Sequence, residues 1–118
     1  MKVSQLVLNV TSEDPQRLGA FYRDVVRLEP LPDAGKYAFN LGGAMFIVDG
    51  HSETKGKARE PHRYLIDFRV EDLKSEQDRL EAQGVTFIRK EGREYWGGRL
   101  STFLDPDGNY CQLLEFKE

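Results

Sequence analysis

The chain has 118 residues, 39% hydrophobic and 31% charged, a globular composition with enough length for one core. A formal net charge of −3, from 17 basic and 20 acidic side chains, argues against a nucleic-acid partner, and no apolar run approaches the roughly 20 residues of a membrane span. The first residues carry no signal-peptide pattern, and the single Cys111 precludes an intrachain disulfide framework, so a cytoplasmic location is expected.

Leu6, Leu8 and Val10 alternate with Gln5, Val7 and Asn9, the period of a strand with two distinct faces. Asp14 then caps a helix with Pro15 at its first position, and Leu18, Phe21, Tyr22 and Val25 give it one apolar stripe. Turn-rich residues from Glu29 to Gly35 lead to two short strands, Lys36 to Leu41 and Ala44 to Asp49, joined by a Gly42-Gly43 hairpin turn. Gly50 to His62 is polar, aperiodic and reads as a linker.

A second cycle follows. Ile66, Phe68 and Val70 alternate on a strand, Asp72 caps a helix through about Gln83, and Gly84 ends it. Val85 to Ile88 reads as a short strand, Arg89 to Gly98 as a loop, and Arg99 to Leu104 and Tyr110 to Phe116 as the last two strands. Asp105-Pro106-Asp107-Gly108-Asn109 between these is a strong turn signal. Cys111 falls within an apolar strand pattern and reads as a core residue.

The halves, about 1–50 and 63–118, therefore repeat strand, helix and three strands. Leu6 to Val10 lines up with Ile66 to Val70, and Gly42 to Asp49 lines up with Gly108 to Glu115. A unit this small does not readily stabilise a sheet alone, so duplication is the natural solution. The expected fold class is α+β, with tandem βαβββ modules in a single domain.

Three ordered motifs carry a resemblance. They are Ala20-Phe21-Tyr22-Arg23-Asp24-Val25-Val26, then Phe68-Arg69-Val70-Glu71-Asp72-Leu73, then Trp96-Gly97-Gly98 followed by Phe103 to Asn109. With the duplication, the chain resembles the vicinal-oxygen-chelate superfamily, the glyoxalase, bleomycin-resistance and extradiol dioxygenase group, over nearly its whole length. The resemblance implies a curved mixed-sheet cleft and, for short two-module chains, a homodimer. One departure is Val26-Arg27 where the family usually has Leu-Gly, which implies a different exit from the first helix.

The family's metal ligands map onto Gln5, near Phe46, Leu65 and Gln112. None of these is an imidazole or a carboxylate, the donors that a divalent transition metal prefers. Histidines occur only at His51 and His62, the ends of the linker. Asp67 is the nearest carboxylate, two positions from Leu65 and on the same side of its strand. No metal and no cofactor are expected. By alternation the cleft should carry Gln5, Val7 and Asn9; Ala44, Phe46 and Val48; Leu65, Asp67 and Arg69; and Tyr110, Gln112 and Leu114. Phe46 and Tyr110 offer stacking surface, and Trp96 sits on a glycine-hinged loop that borders the cleft in the family. Arg69 or Arg99 can meet an acidic ligand.

The expected ligand-binding set is thus Gln5, Val7, Phe46, Leu65, Asp67, Arg69, Trp96, Tyr110 and Gln112, with no catalytic residue assigned. The leading expectation is a protein that binds a small, partly aromatic molecule without a catalytic metal. A metal-dependent lyase, isomerase or dioxygenase with a non-standard site is one alternative. A structural or regulatory dimer with a vestigial cleft is another.

Overall fold

A computed structural model describes residues 1–116. Contacts divide the chain after Gly56 into two units, each holding one sheet and one helix. The first contains β1 (Val7–Ser12), a helix α1 (Pro15–Ala20) prolonged by a π-helical turn (Phe21–Val26), β2 (Glu29–Pro30), β3 (Ala38–Leu41) and β4 (Ala44–Gly50). The second contains β5 (Ile66–Arg69), α2 (Leu73–Ala82), β6 (Phe87–Arg93), β7 (Arg99–Leu104) and β8 (Tyr110–Glu115). The sheet orders are β1-β4-β3-β2 and β5-β8-β7-β6, so each unit pairs its first strand in parallel with its last. Together they form the α+β architecture that the repeat implied.

Both helices start where the sequence placed them. The Asp14 carboxylate accepts from the Arg17 amide at 3.1 Å, and that of Asp72 accepts from the Ser75 amide at the same distance. Leu18 and Tyr22 are fully buried, and the Tyr22 ring lies 4.8 Å from that of Phe46. In the second unit Leu73 and Leu80 of α2 are buried, as are Phe68, Phe103, Cys111 and Leu113 of the strands. The Gly42-Gly43 turn has φ of 60° and 96°, the backbone of a two-residue hairpin that only glycine adopts freely at both positions.

Four expectations are corrected. The first concerns Phe46, which was placed on the open face of the first sheet. It is fully buried against Tyr22 and Phe39 instead. Val7 pairs with Met45 and Leu8 with Phe46, so Met45, Ile47 and Asp49 share the face of Val7 and Asn9. Aligning the two hairpin turns caused the slip. The second hairpin keeps one more pair, Leu104 with Tyr110, before a five-residue turn, whereas the first turns in two residues after Leu41 pairs with Ala44. A one-residue offset moves every side chain of a strand to the other face.

Second, the exit from α1 does not differ from the glycine-type pattern. Arg27 itself takes the left-handed conformation, φ 67° and ψ 46°, and the Arg27 and Leu28 amides both reach the Tyr22 carbonyl. Third, β6 runs through Arg93, well beyond the short strand read from Val85 to Ile88, because its charged residues hid an edge strand. Fourth, Glu29–Pro30 forms the small strand β2 inside what read as a turn.

Two stability measurements check this account. Phe46→Ala should cost about 4 kcal/mol in urea unfolding, as a fully buried aromatic does, and Met45→Ala well under that. Equal costs would place the register elsewhere. Arg27→Gly should stabilise by about 1 kcal/mol, because glycine removes the left-handed penalty.

Candidate functional site

The two sheets each have a face not covered by their own helix, and the expected site residues other than Phe46 and Trp96 lie on those faces or on the segments leading into them. In the first unit they are Gln5, which precedes β1, and Val7. The Gln5 Nε2 donates to the Gly43 carbonyl at 3.0 Å, tying the N-terminal segment to the hairpin. Val7 is exposed at 48%. Beyond it the Asn9 Nδ2 donates to the Asp49 carboxylate at 3.3 Å, and the Thr11 and Thr54 hydroxyls share a 2.7 Å hydrogen bond. The polar groups of this face largely satisfy one another.

The second unit differs. Asp67 pairs in register with Gln112 and Arg69 with Leu114, so Asp67, Arg69, Gln112 and Leu114 share one face. Tyr110, two residues before Gln112, lies on it too, with the His62 ring 6.5 Å away, and Leu65 leads into it, exposed at 46%. The Gln112 Nε2 donates to the buried Thr102 hydroxyl at 3.0 Å, and no described residue donates to its Oε1.

Asp67 makes no hydrogen bond or ion pair among the described residues. The residue is exposed, yet the surrounding protein removes enough water to push its carboxyl above the usual carboxylate range. Arg69 also has no carboxylate partner among the described residues, and its guanidinium lies over the Phe116 ring at 4.4 Å. Arg99, the other arginine considered, is engaged by Glu91 and lies 3.9 Å from the Glu115 carboxylate. Sequence alone gave no means of separating the two.

Phe116 was read only as the end of a strand, and the structure makes it part of the site. It joins Arg69, Val70 and Glu71 in lining an open depression of about 440 Å³. Trp96 approaches Phe116 edge-on, with ring centres 5.4 Å apart. Its turn is closed by the Glu94 amide on the Gly98 carbonyl at 2.8 Å and braced by an Arg89–Glu94 ion pair at 2.6 Å. The indole lies directly against Gly98, where an added Cβ would fall 1.6 Å from a ring carbon.

These donors do not fit a divalent transition metal. The second face supplies one carboxylate and one amide beside Leu65, and Gln5 already serves the Gly43 carbonyl. The His51 Nδ1 accepts from the Glu53 amide at 3.1 Å. Among the described residues no three His, Cys, Asp or Glu side chains gather closely enough to hold an ion.

A model of the Glyoxalase/Bleomycin resistance protein/Dioxygenase superfamily matches residues 3–113. The uncharacterized protein YraH of Bacillus subtilis (strain 168) is 29% identical over 73 residues, a match that covers 61% of this chain and 56% of that protein. Among solved structures, a superfamily member from Sphaerobacter thermophilus DSM 20745 matches with a TM-score of 0.76 at 19% identity, covering 98% of this chain and 99% of that one. Lactoylglutathione lyase from Agrobacterium tumefaciens matches at 0.70 and 23% identity, covering 97% of this chain and 94% of that one. At these identities the structures speak for the fold alone.

Two outcomes test the site. Asp67→Asn should stabilise the protein at neutral pH. A carboxyl whose folded pKa is raised makes folding less favourable as pH rises through that pKa, and the gain should vanish well below the usual value of 3.8. Denaturation of both proteins across pH reads this directly. Gly98→Ala should displace the indole and shift the emission of the chain's one tryptophan, leaving the fold intact by circular dichroism.

Proposed function

The chain belongs to the Glyoxalase/Bleomycin resistance protein/Dioxygenase superfamily, and we propose that it binds a small, partly aromatic organic molecule without a catalytic metal. The observation that carries this reading is the makeup of the open face of β5 and β8. Leu65, Tyr110 and Leu114 offer apolar surface there, beside two charged groups, Asp67 and Arg69, without ionic partners among the described residues. Apolar walling with a few convergent polar groups is the usual makeup of a ligand site.

Metal-assisted catalysis requires a cation that polarises an oxygen or activates water. The donors near Leu65, Asp67 and Gln112 favour binding over that chemistry. The protein acts as a homodimer in the cytoplasm on this reading, with no nucleic acid or membrane as partner. The lack of any helix long and apolar enough to cross a membrane, among the described residues, is compatible with it.

Thermal unfolding against antibiotics, aromatic acids and thiol adducts tests the proposal. A ligand at a hundred times its dissociation constant should add about 2.7 kcal/mol, and a chelator should leave that gain unchanged. Stoichiometric metal lost on Asp67→Ala, together with ligand stabilisation that disappears with chelator, would overturn it. Sedimentation should give a dimer.

A further inference from the structure

Two opposite charges lie two positions apart on one face of β5 without contacting each other. Asp67 has no hydrogen bond or ion pair among the described residues, and Arg69 has none either. The position of Phe116 explains why they do not meet. β5 and β8 run parallel, Arg69 is opposite Leu114, and Phe116 lies two residues further along. A guanidinium 4.4 Å above the Phe116 ring therefore reaches forward along the strand, away from Asp67.

The first unit repeats this contact. Asn9 is opposite Ile47 and reaches forward to Asp49, as Arg69 is opposite Leu114 and reaches forward to Phe116. The forward diagonal is thus built into the fold. At the position of Asp67, however, the first unit has Val7, so nothing in the architecture requires a carboxylate there.

The depression beside Arg69 carries both signs. Arg69 and Glu71 line it together with Val70 and Phe116, and Asp67 stands next along the strand. A simple anion would meet Glu71 and Asp67, and a simple cation would meet Arg69. A molecule bearing both charges satisfies the face. Positions two apart on a strand are separated by roughly 7 Å, and with the guanidinium on Phe116 the two charges stand further apart than that. Arg69 is exposed, so a ligand carboxylate draws it back toward Asp67 at the modest loss of an exposed cation–π contact, and a compact ammonium–carboxylate pair then bridges the two.

We propose that the ligand of this face is a zwitterion of amino-acid type, with its ammonium on Asp67, its carboxylate on Arg69 and a flat apolar body against Phe116 and Trp96. This rests on the small-molecule-binding reading and narrows it to one chemical class. Deprotonated Asp67 is the form that binds, so an ammonium on it would draw its raised pKa back down.

Calorimetric titration with three probes tests the idea: L-phenylalanine, its methyl ester, which lacks the carboxylate, and 3-phenylpropionate, which lacks the ammonium. L-phenylalanine should bind at least tenfold more tightly than either analogue. Asp67→Asn should remove that advantage over 3-phenylpropionate while leaving 3-phenylpropionate itself unweakened. Arg69→Gln should remove the advantage over the ester while leaving the ester unweakened. The analogue measured on each variant shows that the variant is folded. Either analogue matching L-phenylalanine, or silence from all three at millimolar concentration, overturns the zwitterion. The small-molecule reading then stands or falls separately on the broader thermal screen, whose complete silence would sink it.

Discussion

The parallel pairing of the first and last strands in each unit decides which side chains meet a helix and which remain open. Because side chains alternate along a strand, the register of β1 on β4 and of β5 on β8 sorts every residue of the two sheets in one step. The register is held by the apolar side. Phe46, paired with Leu8, packs against Tyr22 in the first unit, and Phe68 and Leu113 are buried on the helix side of the second. Slipping β5 by one residue would press Asp67 into the core and expose Phe68. Burying an unpaired carboxylate costs several kcal/mol and exposing a phenylalanine roughly 2 more. The chemistry of the open face is thus fixed by the packing of the opposite one.

The same register makes the units directly comparable, and the comparison separates structural polar groups from the rest. In the first unit Gln5, Asn9, Thr11, Asp49 and Thr54 form hydrogen bonds within their own unit. Each such exposed bond is worth only about 1 kcal/mol, but together they leave little polar capacity for a ligand. In the second unit Gln112 is held by Thr102, and Arg99 is held by Glu91. Asp67 and Arg69 have no ionic partner among the described residues.

Much of this was legible from residues alone. The duplication, both helix caps and the open faces of β1, β5 and β8 follow from alternation and from Asp14, Pro15 and Asp72, which act through their immediate neighbours. What escaped depends on distant pairing. The face of β4 turns on how many residue pairs precede each hairpin turn, and two glycine-containing turns look alike whether the arm before them holds one pair more or fewer. The length of β6 was masked by Arg89, Lys90, Glu91 and Arg93, because an edge strand tolerates charge that a central one does not. Arg27 misled for a different reason. Glycine is preferred in a left-handed exit by only a kcal/mol or two, and the π-helical turn before it, with Tyr22 packed on Phe46, holds the backbone there regardless. Which arginine was already paired could not be read at all, since Arg99 and Arg69 differ only in what the fold brings beside them.

The donors present on the open face and the two charges without ionic partners among the described residues point the same way. A cleft that relies on a cation gathers imidazoles and carboxylates, whose mutual repulsion the ion relieves. The family resemblance places Leu65 at such a position, and the one carboxylate nearby, Asp67, has no second donor of that kind beside it among the described residues. Its partner across the strands is Gln112, an amide already bonded to Thr102. The residue at the matching place in the first unit is Val7, which shows that a plain aliphatic side chain suits the sheet. Asp67 therefore costs stability through lost hydration and recovers none of it by contact within the described residues. Arg69 is in the converse position, held on an aromatic ring where a carboxylate can still approach it. On the proposed reading, an ammonium–carboxylate molecule seated across both residues would supply each with the ionic partner that no described residue provides.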